Sequence, residues 1–215
     1  MTTLILVRHG QSNTNLEHRF TGQGHAVLTP LGEAQAECTA RYLDAFSIDV
    51  IYSSDLVRSM QTAEATAKRQ GLSVIPNKAL REIDAGLWEG RPYLELKAAY
   101  PEEYVLWTDD LGRARPNGGE SVLEVGERVC REVDRLALLH KGKCVAVFSH
   151  ATPVRMVGCY WLGVPFEEAA SVPRCSNASV TVAEYDDEGR FVRLVEYAHD
   201  EHLGKNQTFL PKGLA

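Results

Sequence analysis

Two histidines in this chain stand directly after wholly apolar runs. Arg8-His9-Gly10 follows LILV at 4–7, and Ser149-His150 follows CVAVF at 144–148. Arg58 lies near the start of the segment LVRSMQTAEATAKRQ, and Glu82 follows a third short apolar stretch. This set of residue types suits phosphoryl chemistry. Two guanidinium groups offer planar forks that match phosphate oxygens in bidentate fashion. Asn15 and the backbone N–H groups of turns at Gly10 and Gly22 would add donors. A histidine of the set can be the nucleophile when its imidazole is neutral, and the arginines favour that form because like charges depress a histidine pKa. A carboxylate then protonates the leaving alcohol and afterwards takes a proton from water. Hydrolysis of phosphate monoesters is so slow without a catalyst that charge clamping, in-line positioning and proton delivery are all required. His18, His25, His140, His199 and His202 have no comparable placement and read as structural or surface groups.

The elements that must position these groups alternate. Residues 3–7 read as a strand buried on both faces. Residues 30–46 read as a helix, with Thr29 as N-cap and Pro30 at its first position. DVIYS at 49–53 is a second strand, and Ser54 or Asp55 caps the helix that follows, which Gly71 ends. Residues 72–75 form a third strand. The stretch 76–120 is irregular, with Pro76, Pro92, Pro101, Pro116 and Gly118-Gly119, and a short helix around 92–100. It is too long for a simple connection and reads as a lid or wall of the site, where substrate specificity resides. A long helix begins at Glu120 or Ser121, its stripe running through Val122, Val125, Val129, Val133, Leu136 and Leu139. CVAVF is a strand and 153–162 a helix. The C-terminal segment ASVTVAEYDDEGRFVRLVEY reads as two alternating strands around a turn at Asp187-Glu188-Gly189.

Strands alternating with helices imply an α/β fold: a three-layer sandwich, its central sheet mostly parallel with an antiparallel edge, formed by one domain over 1–215. In such sheets ligands bind beyond the carboxyl ends of the strands, which is where Arg8, His9, His150, Arg58 and Glu82 are expected to meet. The composition sets the outer bounds. The chain has 215 residues, 44% of them hydrophobic, with a net charge of −6. That balance argues against general nucleic-acid or anionic-membrane binding, so an anion site must be built locally against the overall field. No segment approaches the ~20 consecutive apolar residues of a membrane span, and no signal peptide is evident. Five scattered cysteines with no CxxC pair fit neither a disulfide framework nor a zinc site, and indicate the cytoplasm. The exposed edge of the terminal hairpin would be the surface for a homodimer.

Several segments, in order, resemble one family. LVRHGQSNTN resembles the signature of the histidine phosphatase superfamily, which includes the cofactor-dependent phosphoglycerate mutases. TGQGHAVLTPLGEAQA is similar to the segment after that signature, and YSSDLVRSMQTAEA to the second-arginine motif. LREIDAGLWEGRPYLEL resembles the acid/base segment, PNGGESVLEVGERV the segment before the long helix, and VFSHATPVRMV the second-histidine motif. The resemblance implies that His9 becomes a phosphohistidine, that Arg8, Arg58 and His150 hold the phosphate with Asn15 nearby, and that Glu82 is the proton donor and then the base. It implies substrate contacts at Gln11, Thr21, Gly22 and Ala151, and chemistry that needs no metal or other cofactor. On this view Gly10 lets the backbone approach the phosphate closely.

Three departures stand out. His25-Ala26-Val27 replaces the usual Asp-x-Pro, and Ala151 replaces the glycine after the second histidine. Glu82 is followed by Ile83-Asp84-Ala85-Gly86 rather than by the arginine and tyrosine that hold a carboxylate in the mutases. The last points to the phosphatase branch: a metal-independent phosphomonoesterase acting on a small phosphorylated metabolite, such as a sugar phosphate, phosphoglycerate, nucleotide or cofactor precursor. The alternative is a phosphoglycerate mutase, for which Arg113 and Arg115 would have to supply the missing cations. A non-catalytic phosphate-binding module would lack a catalytic group, and none is missing; a protein phosphatase would be expected to carry an added recognition region, and none is evident.

Overall fold

A computed structural model describes residues 1–208, so the last seven residues of the expected 1–215 unit lie outside it. The chain runs β1 (Thr2–Arg8), α1 (Asn13–Leu16), α2 (Pro30–Leu43), β2 (Val50–Ser53), α3 (Val57–Gln70) and β3 (Val74–Pro76). It continues through α4 (Tyr93–Ala99), α5 (Pro101–Asp109), α6 (Val122–Leu139), β4 (Cys144–Ser149), α7 (Ala151–Leu162), β5 (Val180–Tyr185) and β6 (Phe191–His199). One sheet has the order β3-β2-β4-β1-β5-β6. β3, β2, β4 and β1 pair in parallel, while β5 and β6 pair antiparallel.

The period of two along the central strands sorts side chains into two cores. Leu4, Leu6, Val145 and Val147 face one core with α6 and α7; Ile5, Val7, Ala146 and Phe148 face the other, with residues of α2 and α3. Both faces are therefore covered, which is why β1 is apolar from Leu4 to Val7 and β4 from Cys144 to Phe148. The result is the three-layer α/β/α arrangement. No helix among the described residues is long and apolar enough to cross a membrane.

Local chemistry sets most of the boundaries. Thr29 caps α2 by accepting from the Gly32 N–H at 3.1 Å, with Pro30 at the first helical position. Ser121 and Glu124 form a reciprocal capping box at the start of α6. Gly71 ends α3 in the left-handed conformation, at φ +67°. At the start of α3 no side chain caps; Leu56 is the N-cap and Ser54 Oγ accepts the Leu56 N–H instead. α7 begins two residues before Pro153, which then occupies a position whose N–H would have no intrahelical partner. Leu139, at the end of the α6 stripe, is exposed.

The stretch 76–120 is better ordered than its prolines suggest. Pro101 starts α5 rather than merely ending α4, and Glu102 and Glu103 sit favourably in its first turn. The stretch is held by aromatic packing. Trp88 is fully buried, and Phe20 lies edge-on to both Trp88 and Trp107, with ring centroids 5.3 and 4.8 Å away. The segment forms one wall of the cleft described next.

Candidate active site

Parallel pairing aligns Arg8 with Ser149 and Ser53 with Phe148, so β1, β4 and β2 end together. His9 and His150 each follow one of these ends, and their rings meet at a centroid distance of 5.1 Å. Arg58 comes from the first turn of α3, the helix that follows β2. Arg8, His9, Arg58, Glu82 and His150 are all buried. A cleft at this edge is lined by Arg8, His9, Asn15, Thr21, Arg58, Glu82 and Ala151 among others.

The protonation of His9 follows from its partners. Nδ1 lies 2.6 Å from the Gly10 carbonyl oxygen, which can only accept, so Nδ1 carries the proton. Nε2 then presents a lone pair, and Arg58 Nε–H donates to it at 3.2 Å. Burial, then Arg58 and then Arg8, hold the His9 pKa well below its ordinary value. Neutral His9 with a bare Nε2 is the form a nucleophile requires.

The arginines are held by neutral groups. Arg58 Nη2 donates to the Gly22 carbonyl at 2.7 Å and Nη1 to the Gly24 carbonyl at 3.3 Å. Burial pushes its pKa down to about 10. Arg8 Nη1 donates to the Cys175 carbonyl, while its buried Nε has no partner among the described residues. His150 shows a similar vacancy. Its Nε2 forms a hydrogen bond with the Ser54 hydroxyl, 2.7 Å away. Nδ1 is buried without a partner among the described residues. A buried guanidinium N–H and a buried imidazole nitrogen without partners among the described residues, beside two guanidinium groups, make a site suited to an anion.

Glu82 faces this set from the opposite wall. Its Oε1 accepts the Ile83 N–H at 2.9 Å, and its Oε2 accepts the Thr152 N–H, in the first turn of α7, at 3.3 Å. Asn15 lines the cleft with its Oδ1 tied to Ser12 N–H at 3.1 Å and Asn177 Nδ2 at 3.3 Å, which leaves its own amide N–H groups to donate.

Not every expected residue reaches the cleft. Gln11 does not line it; its Oε1 accepts from the Thr29 hydroxyl at 2.8 Å. Gly22 acts one step away, as the acceptor for Arg58. The reason for Gly10 is also different from close approach to a phosphate. A Cβ there would stand 2.5 Å from the Gly32 carbonyl oxygen, so the glycine lets α2 pack against the strand end. Arg113 and Arg115 lie outside the cleft, beside Asp110 and Glu124.

The cleft instead holds Arg19, Arg155 and Arg174, with Phe20, Tyr93, Trp107 and Leu111 as its apolar wall. Sequence reasoning missed these. Arg155 was in reach: Ala151 and Thr152 share a helix face with Arg155 by i, i+4 and i, i+3 spacing. Arg174 was legible only from topology. β5 lies antiparallel to β1, so the residues entering β5 arrive at the end of β1, where Ala178 N–H donates to the His9 carbonyl at 3.2 Å.

The chain is 35% identical over 187 residues to phosphoserine phosphatase 1 of Hydrogenobacter thermophilus, covering 87% of this chain and 88% of that protein. It is 34% identical over 189 residues to a Cronobacter sakazakii protein named "Probable phosphoglycerate mutase GpmB", covering 86% of each. The solved structure of Bacillus stearothermophilus YhfR superposes with a TM-score of 0.89 at 27% identity, covering 94% of this chain and 100% of that one. The model of the histidine phosphatase superfamily (branch 1) matches residues 4–197, and with it the chain belongs to that family.

Proposed function

We propose that this protein is a metal-independent phosphomonoesterase that hydrolyses a small phosphorylated metabolite through a phosphohistidine on His9. The observation that carries the reading is the hydrogen bonding of His9: Nδ1 lies against the Gly10 carbonyl, which leaves Nε2 unprotonated beside Arg58 in a cationic pocket. In the first step His9 Nε2 attacks phosphorus and the ester P–O bond breaks. Glu82 gives its proton to the departing alkoxide. In the second, the Glu82 carboxylate takes a proton from water, the resulting hydroxide attacks phosphorus, and the P–N bond breaks to free phosphate. Arg8, Arg58, His150 and Asn15 hold the equatorial oxygens throughout, and the two guanidinium groups supply the positive charge that a metal provides elsewhere. Thr21 and Ala151 border the alcohol portion.

The names of the relatives, phosphoserine phosphatase among them, support a small metabolite as substrate. The net charge of −6 supports a partner list without nucleic acid. Free thiols at all five cysteines support a cytoplasmic location. The reading treats the chain as one domain, with pairing at the β6 edge as the form a homodimer would take. A second reading, a phosphoglycerate mutase, is favoured by the relative of that name and by the cations at Arg155 and Arg174. One experiment separates them: phosphate release from p-nitrophenyl phosphate in excess EDTA by the wild type and His9→Ala, beside 3-phosphoglycerate isomerisation by the same preparations. Hydrolysis that vanishes in His9→Ala is the expected result. Efficient isomerisation with negligible hydrolysis would replace the phosphatase with the mutase.

A further inference from the structure

Glu82, the proton donor and then the base of the proposed reaction, stands on backbone that is neither helix nor strand over residues 81–85. Its Oε1 accepts the N–H of the next residue, Ile83. A shift of the chain at 82–83 therefore carries the carboxylate with it. What fixes that chain is a side chain from another element.

Arg128 comes from α6, whose Val125 and Val129 are fully buried. Its Nη1 donates to the Ala79 and Arg81 carbonyls, both at 2.9 Å. Its Nη2 donates to the Glu82 carbonyl at 3.5 Å and to Glu120 Oε2 at 2.8 Å, and its Nε to Glu120 Oε1 at 2.9 Å. A guanidinium has five N–H groups, and each of them has an acceptor here. Glu120 extends the clamp. Its N–H donates to the Asp84 carbonyl at 3.0 Å, and its Oε2 accepts the Asp84 N–H at 3.3 Å. The Arg128 and Glu120 side chains are only 23% and 20% exposed, so water competes little for these bonds. A lysine ammonium, with three donors on one atom, cannot span the same acceptors.

We infer that Arg128, backed by Glu120, is a positioning residue for the Glu82 carboxyl. This goes beyond the proposed function and rests on it for the role of Glu82. Arg128 does not line the cleft, so it acts through the chain it holds. Misplacing a reacting group by about 1 Å can cost roughly 100-fold in rate, and here the loss should fall on the step that needs the proton.

The test compares 4-nitrophenyl phosphate, whose leaving group departs readily without a proton, with phenyl phosphate, whose leaving group depends on a general acid. The readout is kcat/KM, which covers the steps through ester cleavage. The ratio of the 4-nitrophenyl to the phenyl value should rise at least fivefold in Arg128→Met. It should also rise in Arg128→Lys, which keeps the charge that bears on His150. A merely structural role lowers both values together, and an unmoved ratio would overturn the inference; so would a wild-type ratio in Arg128→Lys. If neither variant folds, Glu120→Gln decides, with the same rise expected. Glu82→Gln separates the two readings. A ratio unmoved there retires Glu82 as the acid and this inference with it, whereas a ratio raised there and unmoved in the Arg128 variants overturns the clamp alone. Should the wild type hydrolyse neither ester, the phosphatase reading fails and amide hydrogen exchange decides the clamp: residues 78–84 should exchange at least tenfold faster in Arg128→Lys, and unchanged protection would overturn it.

Discussion

Replacing Arg58 by methionine tests the site at its most coupled point. The side chain is 2% exposed, donates to the bare Nε2 of His9 at 3.2 Å, and is the second cause, after burial, of the lowered His9 pKa. Two effects follow. The first is loss of a phosphate clamp. Removing one preorganised donor from a developing oxyanion typically costs a factor of about 10²–10³ in kcat, or ~3–4 kcal/mol, and a guanidinium supplies two donors. The second effect separates a chemical role from a structural one. A unit charge about 3 Å from Nε2 disfavours imidazolium by up to ~5 kcal/mol at an effective dielectric of 20, before water enters the space left behind. Without it the His9 pKa rises, so more of the enzyme is protonated and inert at acid pH. The acid limb of kcat/KM, which reports the free enzyme, should therefore move to higher pH. The assay is p-nitrophenyl phosphate hydrolysis from pH 4 to 8 by wild type, Arg58→Met and the control Arg193→Met, whose side chain pairs with Glu184 on the exposed edge. The control should match the wild type. A folded Arg58→Met whose acid limb stays in place, or moves to lower pH, would refute the electrostatic account even if its rate fell.

Stability should fall below neutral pH. His9 and His150 are held well below the ordinary value of about 6.5 and His202 at about 4, so the unfolded chain takes up protons first as pH drops from 6.5 toward these lower values. Each buried neutral histidine can remove up to ~1.4 kcal/mol per pH unit in that window; urea midpoints that are flat from pH 7 to 5 would contradict this. Gly32→Ala should destabilise by roughly 1–3 kcal/mol, because its Cβ would stand 2.0 Å from the Gln11 carbonyl oxygen; a thermal midpoint equal to the wild type would show that the α2 contact is slack. Trp88→Ala should cost about 3–5 kcal/mol, since the ring is fully buried against Phe20 and its Nε1–H donates to Asn117 Oδ1 at 3.1 Å; chemical denaturation reads it, and a loss under ~1 kcal/mol would mean that the wall does not depend on this ring.

Much of this was legible in the sequence because burial on two faces leaves a plain mark. β1 and β4 each contain an unbroken apolar run, and a polar residue just past such a run must lie at a strand end. That is enough to bring Arg8, His9 and His150 together before any contact is known. Arg58 and Glu82 followed from the order of elements. The stretch 76–120 was legible as a wall or lid, but its internal order was not, for a different reason. Its helix α5 begins with Pro101 and carries both exposed and buried aromatic and aliphatic residues, so neither period nor propensity marks it. It exists through tertiary contacts of Phe20, Trp88 and Trp107, residues from well separated parts of the chain. Arg155 and Arg174 stayed hidden because an arginine on a helix or before a strand is ordinarily a solvated charge. Only the antiparallel return of β5 beside β1 turns Arg174 toward the cleft.

The burial of so many like charges has a consequence for specificity. Arg8 and Arg58 both have lowered pKa values, chiefly through desolvation, and two histidines beside them are kept neutral. An apo site of this kind is held in an unfavourable state by the rigid sheet beneath it. A phosphate dianion removes that penalty twice, by pairing the guanidinium groups and by accepting from the partnerless Arg8 Nε. Neutral ligands cannot do either. Recognition of the phosphoryl end is therefore strong and uninformative about the rest of the substrate, because every phosphomonoester presents the same end. Discrimination must come from the remaining wall, where Phe20, Tyr93, Trp107 and Leu111 differ in chemistry from the phosphate site itself.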